Sequence, residues 1–197
     1  VMSLDMVGYS ALMSRHEALA LSCVKALEEI LRAEIPAAGG RLVKLLGDGS
    51  LAEFPTAVSA VACARSILQR IASVNGSRPA PERFEVRIGL HLGDLVDREG
   101  DIFGDAVNIA ARVQTLADPG GIAMTEIVHA QVRNHQIPLQ GLFLSPQKLK
   151  NIPEKMKIFL LPPAGAPYLG WSLRRRGVPA ALWITLAAAA VAGQGLA

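Results

Sequence analysis

The sequence has little cysteine, few aromatic side chains and a small net charge. It carries two cysteines in 197 residues, 5% aromatic residues and a formal net charge of +3. Cys23 and Cys63 lie in helix-like segments without a CxxC pair or a nearby metal-type histidine. We therefore expect buried thiols in a reducing compartment and no catalytic cysteine. The small charge excludes the broad basic face that nucleic-acid binding needs.

Two sequence signals of other protein classes are also missing. No GxxxxGK[ST] loop occurs, so metal ions and scattered basic side chains would have to hold any phosphate group. We also expect no secretory signal before the first apolar strand. Only four residues come before Asp5, and we expect the natural chain to begin earlier.

Apolar residues are concentrated at the end of the chain, which raises the mean hydropathy to +0.32. Residues 177–197 carry no charge and follow the basic triplet at 174–176. Such a span can cross a bilayer as a helix, and its basic flank stays cytoplasmic. We expect a transmembrane helix at 177–197 that anchors a cytoplasmic domain to the inner membrane; the alternative is an alanine-rich soluble helix. Residues 163–176, rich in proline and glycine, would be a linker.

Turn signals and apolar periodicity divide residues 1–162 into alternating strands and helices. The chain begins with a strand, which is followed by a long amphipathic helix over residues 10–37 and by the hairpin RLVKLLGDGSLAEF. The helix is continuous or broken once. An alanine-rich helix, one long strand FEVRIGLHLGDLV, a helix after Gly104 and the strand GIAMT follow. This order is typical of a ferredoxin-like βαββαβ core, an α+β fold with a mainly antiparallel sheet and helices on one face. Dimerisation would cover the other face.

Two aspartates lie at strand ends that could meet. Asp5 ends the first strand, and Asp48 lies at the tip of the Asp-Gly hairpin. If these strands pair, two like charges come close together and need a cation, and such carboxylates suit Mg²⁺ or Mn²⁺ bound to a polyphosphate. Each residue also has a purely structural interpretation, Asp48 as a turn residue and Asp5 as a helix cap.

The segment DIFGDAVNIAAR carries an amide and a guanidinium on one face of a helix. Asn108 and Arg112 are four residues apart, so both side chains point the same way. An arginine stabilises charge that builds on phosphate, and an amide orients a sugar hydroxyl. Without further context, the same pair would be a solvated helix face.

Five segments in order resemble the catalytic domain of class III nucleotidyl cyclases, the bacterial adenylate cyclases in particular. They are LDMVGYSALM, GGRLVKLLGDGSLAEF, RIGLHLGDLV, GDIFGDAVNIAARVQTLADPGGIAMT and LKNIPEKMKIFLL, and the resemblance spans residues 1–162. It implies that Asp5 and Asp48, with the backbone carbonyl of Met6, hold two Mg²⁺ (or Mn²⁺) ions. It also implies that Asn108 positions the ribose, while Arg112 stabilises the α-phosphate as the 3′-hydroxyl attacks and pyrophosphate leaves.

The resemblance implies three further residues that bind the substrate, ATP. Lys150 corresponds to the triphosphate-binding lysine of the family. Lys44 and Asp101 occupy the two base-reading positions, and they supply the donor and the acceptor that N1 and the 6-amino group of adenine require. Guanine needs the opposite pattern, which a glutamate and a cysteine commonly meet in guanylate cyclases. His91 lies in mid-strand and is expected to be a packing residue.

The sequence thus predicts an adenylate cyclase that converts ATP to 3′,5′-cyclic AMP and pyrophosphate in signal transduction. The resemblance implies a head-to-tail homodimer, in which metal and base-reading groups of one subunit meet Asn108 and Arg112 of the other. A guanylate cyclase and a catalytically silent module for nucleotide binding or dimerisation are the alternatives. The GG[DE]EF hairpin of diguanylate cyclases is absent, since this hairpin reads GDGSLAEF.

Overall fold

The computed structural model describes residues 1–133, 135, 139–163, 165, 166, 171, 172 and 175. Strands in the described chain are β1 (Met2–Met6), β2 (Arg41–Leu45), β3 (Gly49–Glu53), β4 (Val86–Leu90), β5 (Val96–Arg98), β6 (Asp101–Phe103), β7 (Ile122–Thr125), β8 (Leu142–Phe143), β9 (Gln147–Lys148), β10 (Lys155–Met156) and β11 (Ile158–Leu161). Its α-helices are α1 (Tyr9–Arg15), α2 (Glu17–Ala37), α3 (Ala57–Gly76), α4 (Asp105–Gln114) and α5 (Glu126–Val132).

Seven of these strands form the main sheet, in the order β2-β3-β1-β4-β7-β11-β8. Neighbouring strands are antiparallel except β4 and β7, which run parallel. The first four strands of this order have the ferredoxin-like arrangement, in which helices connect strands that are not neighbours in the sheet. The predicted α+β fold with a mainly antiparallel sheet is confirmed.

The first long helix and the hairpin after it also agree with the sequence pattern. The helix is broken once, at His16 between α1 and α2. Strands β2 and β3 pair on either side of a tight turn, and the N–H of Leu46 donates to the carbonyl oxygen of Gly49 at 2.8 Å. Asp48 lies within this turn, as the Asp-Gly signal predicted.

The main hydrophobic core lies between one face of the sheet and the long helices α2 and α3. Met2, Leu4 and Met6 of β1 are buried toward this core, because alternate residues of a strand share a face. Both cysteines belong to the same buried cluster. Burial raises the pKa of the Cys63 thiol to about 12, so this thiol is inert at neutral pH.

Helix α4 packs against the opposite face of the sheet, over β1, β4 and β7. Gly89 of β4 permits this approach, because a Cβ there would lie 2.3 Å from both the carbonyl oxygen of Ala110 and the backbone nitrogen of Gln114. The sequence predicted helices on one face; the structure has α2, α3 and α5 there and α4 on the other. The lack of a side chain at Gly89 leaves the space that α4 occupies on this face.

The predicted single strand at residues 84–96 is wrong in its second half. Strand β4 ends at Leu90, residues 91–95 form no strand, and β5 pairs with β6 in a separate two-stranded hairpin. Gly93 lies within this break, and a Cβ there would lie 3.0 Å from the Cβ of Ala106 in α4. The chain therefore leaves the sheet close to α4, and Asp101 lies on a hairpin outside the main sheet.

One helix of the described chain, α3, is long and apolar enough to cross a membrane by length and composition alone. Its apolar side chains, among them Val61, Ile67 and Ile71, pack into the main core. The predicted transmembrane helix at 177–197 lies outside the described residues. Within the predicted linker, Trp171 is buried and its indole Nε1 donates to Oδ2 of Asp118 at 2.7 Å.

Candidate active site

The turn between β2 and β3 brings Asp48 to the end of β1. Asp5 pairs with Gly49, the residue after Asp48, in the antiparallel register of β1 and β3. The N–H of Met6 donates to the carbonyl oxygen of Asp48 at 2.9 Å, which fixes the turn against β1. Gly47 has the left-handed φ of 76° that this turn requires. The two predicted metal aspartates therefore lie at neighbouring strand ends.

The electrostatics of Asp5 show that the two carboxylates interact. The pKa of Asp5 is raised, first because burial disfavours its charged form and second because Asp48 repels it. The guanidinium of Arg87 and a hydrogen bond from Gln114 act in the opposite direction. Arg87 can do so because it pairs with Asp5 across β1 and β4. This site carries surplus negative charge that a cation would neutralise.

The donor set fits a hard divalent cation that is bound together with a phosphate ligand. Carboxylate oxygens are preferred ligands of Mg²⁺ and Mn²⁺, and a cation removes the repulsion between Asp5 and Asp48. Gly49 lies close to β1 at this point, because a Cβ there would lie 3.0 Å from the carbonyl oxygen of Leu4. Among the described residues, no cluster of three or more His, Cys, Asp or Glu side chains could hold a metal ion. A metal at this site needs further oxygen ligands from backbone, water or phosphate.

A second pair of predicted residues is in direct contact. Nζ of Lys44 lies 2.7 Å from Oδ2 of Asp101, and the two side chains are 35% and 36% exposed. This hydrogen bond holds the pKa of Asp101 below its ordinary value. Lys44 pairs with Leu51, which pairs with Ser3, so Lys44 lies on the same sheet face as Asp5. A donor and an acceptor therefore lie together on the sheet face that carries Asp5, which we call the aspartate face.

Helix α4 carries the other two predicted residues, and both are accessible. Asn108 is exposed and Arg112 is half-buried, while Ala106, Ala110 and Val113 of the same helix are buried. Within the part of the chain that the structure describes, the side chains of Asn108 and Arg112 make no hydrogen bond or ion pair. Among the described residues, these two groups therefore have no internal polar partner.

Lys150 is exposed in the turn between β9 and β10, where residues 148–153 line a shallow surface hollow. Asn151 shapes this turn with a left-handed φ of 61°. No hydrogen bond or ion pair in the described chain joins Lys150 to Asp5 or Asp48. Its role in binding a triphosphate stays a prediction.

Sequence reasoning missed three residues of this region. Arg87 and Gln114 act on Asp5, and the ring centroid of Phe103 lies 5.8 Å from Nζ of Lys44. Arg87 is a charged residue within the apolar strand EVRIGL, and this unusual position could have marked it as a candidate in the sequence. Gln114 is a buried polar residue four positions after Ala110, on the sheet-facing side of α4, and this placement was also visible in the sequence.

Comparison with known families shows to which family the chain belongs. The family model described as the adenylate and guanylate cyclase catalytic domain matches residues 1–162. The chain belongs to this family. We call residues 1–162 the cyclase domain. This domain contains every strand and α-helix given above and all eight residues that the sequence singled out for the site.

Two curated relatives of the cyclase domain carry cyclase names. "Putative adenylate cyclase 3" of Rhizobium meliloti is 41% identical over 133 residues, which cover 67% of this chain and 23% of the relative. An "Adenylate cyclase" of Streptomyces coelicolor is 32% identical over 136 residues, which cover 68% of this chain and 34% of the relative. The chain thus spans about a quarter to a third of the length of these relatives.

A solved structure from Silicibacter pomeroyi, titled as an adenylate/guanylate cyclase/hydrolase, superimposes on the cyclase domain with a TM-score of 0.72. The two chains are 38% identical, and the match covers 83% of this chain and 95% of the other. The cyclase domain therefore shares both its fold and its sequence family with this structure.

Proposed function

We propose that the cyclase domain converts ATP to 3′,5′-cyclic AMP and pyrophosphate. The ion pair of Lys44 and Asp101, with Nζ and Oδ2 2.7 Å apart on the aspartate face, carries this proposal. An ammonium donor and a carboxylate acceptor complement the N1 acceptor and 6-amino donor of adenine, whereas guanine presents the opposite pattern at these positions. The two relatives named as adenylate cyclases support the same substrate.

Asp5 and Asp48 are the residues that would hold divalent cations, with the backbone carbonyl of Met6 beside them. Bound there, Mg²⁺ or Mn²⁺ supplies Lewis-acid stabilisation of the phosphate charge. The cations are assigned to this pair because the two carboxylates lie at neighbouring strand ends, where burial and then repulsion by Asp48 raise the pKa of Asp5. Two ions, as the family resemblance implies, belong to the proposal.

The remaining residues act on the substrate itself. Lys150 binds the triphosphate, and Asn108 orients the ribose so that its 3′-hydroxyl faces the α-phosphate. The 3′-oxygen forms a bond to the α-phosphorus, the bond from that phosphorus to pyrophosphate breaks, and the hydroxyl proton leaves to solvent. Arg112 stabilises the negative charge that grows on the α-phosphate oxygens during this step.

A head-to-tail homodimer with two shared sites is part of this proposal. Asn108 and Arg112 are accessible on α4 and make no polar contact within the described chain, so they are free to complete the site of a second copy. Each site then combines Asp5 and Asp48 of one subunit with the α4 pair of the other. A two-fold symmetric interface makes both sites equivalent.

The test is conversion of ATP and, in parallel, GTP by the purified chain with Mg²⁺ or Mn²⁺. We expect cyclic AMP as the product. The Asp48→Ala variant should lose at least about 100-fold in activity, because mutation of residues that only support a metal ligand already lowers activity 10- to 100-fold. Glu29→Ala, which removes an exposed carboxylate on α2, is the matched control and should keep full activity. Preferred conversion of GTP would identify a guanylate cyclase, and no product from a folded dimer would identify a silent module.

A further inference from the structure

The hairpin that carries Asp101 is attached to the main sheet by few polar contacts. Strands β5 and β6 form their own two-stranded sheet, and in the described chain no backbone hydrogen bond joins this hairpin to β2. Its tip is a tight turn in which Glu99 and Gly100 both have positive φ, 54° and 85°. The position of Asp101 therefore depends on side chains that hold the hairpin against the sheet.

Arg41 of β2 makes three polar contacts, one within the main sheet and two that reach this hairpin. Its Nε donates to Oε1 of Glu53 at 2.7 Å, across the β2–β3 pairing that sets the two residues opposite each other. Its Nη1 donates to the carbonyl oxygen of Gly100 at 2.9 Å, and its Nη2 donates to Oδ2 of Asp97 at 2.6 Å. The planar guanidinium thus holds both sides of the hairpin tip in one fixed geometry.

The contacts of Arg41 continue directly to the base-reading pair. Gly100, which accepts from Arg41, immediately precedes Asp101, and Asp97 also accepts from the N–H of Gly100 at 3.2 Å. Asp101 then accepts from Lys44, three positions after Arg41 on β2. Arg41 therefore holds Asp97 and Gly100, while Lys44, on the same strand β2, holds Asp101. Of these two basic residues, only Lys44 reads the base.

Geometry rather than stability is the main effect of these contacts. The side chains of Arg41 and Asp97 are 40% and 56% exposed, and exposed ion pairs contribute little to the free energy of unfolding. A carboxylate that accepts a hydrogen bond from adenine must be placed much more precisely than stability requires, because small displacements weaken hydrogen bonds steeply.

We propose that Arg41 is a positioning residue for nucleobase selectivity. Its contacts fix the β5–β6 hairpin so that Asp101 meets the 6-amino group of adenine. This inference rests on the proposed function and extends it to a residue that does not touch the substrate. Glu53 orients Arg41 from the sheet side, so it belongs to the same chain of contacts. Loss of Arg41 weakens use of ATP and brings no gain in contacts for GTP.

The experiment compares the ratio of kcat/KM for ATP to kcat/KM for GTP in the full chain and in Arg41→Ala. We expect the ratio to fall about tenfold, mainly through a higher KM for ATP, while the melting temperature stays within a few degrees. Arg41→Lys keeps the positive charge but cannot span Glu53, Asp97 and Gly100 together, so its ratio should fall as well. Arg70→Ala is the matched control, because it removes another exposed arginine whose nearest carboxylate, on Glu34, is 3.9 Å away.

Dissociation constants for 3′-deoxy-ATP and 3′-deoxy-GTP, which lack the attacking hydroxyl, give a second readout that does not need turnover. An unchanged ratio in an active Arg41→Ala chain would overturn the positioning role alone. Wild-type selectivity in Arg41→Lys would mean that charge suffices and would also overturn it. A wild-type chain that neither converts nor binds ATP would overturn the proposed function and this inference together.

Discussion

His91 is a titratable side chain that the fold keeps neutral. It is 9% exposed, and its Nδ1 lies 3.0 Å from Oγ1 of Thr125 in a buried hydrogen bond. Burial, the largest cause, lowers the pKa of His91 to about 4. The sequence predicted a packing residue here, and the buried position agrees with that interpretation.

The neutral state of His91 predicts a pH-dependent stability. The unfolded chain takes up a proton near pH 6.5, whereas the folded chain does so only near pH 4. The contribution of His91 is therefore complete above pH 6.5 and is lost as the pH falls toward 4. Between pH 6.5 and 4.5 the loss is roughly 2 to 3 kcal/mol of unfolding free energy.

Urea denaturation at a series of pH values measures this loss, with His91→Gln as the control. Glutamine can keep a hydrogen bond to Thr125 but does not titrate, so the variant should have a flatter stability profile over the same interval. Parallel profiles for the two chains would show that other groups cause the acid sensitivity.

At the scale of elements, the approach of α4 to β4 decides where Asn108 and Arg112 lie. Gly89 is in contact with the backbone of α4 on one face of the sheet, and the buried side chains of the helix surround this contact. The helix has only ten residues, so a shift at this point moves all of it. The position of the two side chains that we propose to be catalytic thus depends on Gly89, which has no proposed contact with substrate.

Gly89→Ala is expected to destabilise the chain by about 3 kcal/mol and to lower activity with both nucleotides. The added Cβ would meet backbone atoms of Ala110 and Gln114 at 2.3 Å, and backbone cannot rotate away as a side chain can. Thermal unfolding and the cyclase assay measure the two effects. Gly76→Ala is the control, because a Cβ at that helical position meets no atom within 4 Å and should be neutral or slightly stabilising. Equal stability of the two variants would contradict the close contact.

At the scale of the whole molecule, the proposed dimer makes each site depend on two chains. Asp48 and Arg112 would then act in the same site from different subunits, although they belong to one sequence. This predicts a result that no single-chain enzyme could give, because two inactive variants can complement each other when mixed.

Asp48→Ala and Arg112→Ala chains should each be inactive alone and recover activity when mixed. Random pairing makes half of the dimers mixed, and each mixed dimer has one intact site of two, so the mixture should reach about a quarter of wild-type activity. Mixing two preparations of the same variant is the control. No recovery, under conditions where subunits are shown to exchange, would refute the shared site.

Several features of this protein could be read from its sequence because they depend on local chemistry. Apolar alternation and helical periodicity predicted β1, α2 and α3, and the Asp-Gly pair predicted the turn that carries Asp48. The five cyclase-like segments identified the family, which the match over residues 1–162 confirmed. The roles of the site residues remain predictions that the experiments above test.

Tertiary structure alone decided which residues meet. The alternation of FEVRIGLHLGDLV looks like one strand, but β4 ends at Leu90 and the chain then passes close to α4, where a Cβ at Gly93 would lie 3.0 Å from the Cβ of Ala106. The contacts of Arg41 with the β5–β6 hairpin join residues 56 and 59 positions apart. Local periodicity carries no information on such pairs, because their free energy comes from contacts that form only when the sheet and helices have assembled. Local sequence patterns therefore determined most of the helices and strands and the family, and the packed fold determined the neighbours of each charge.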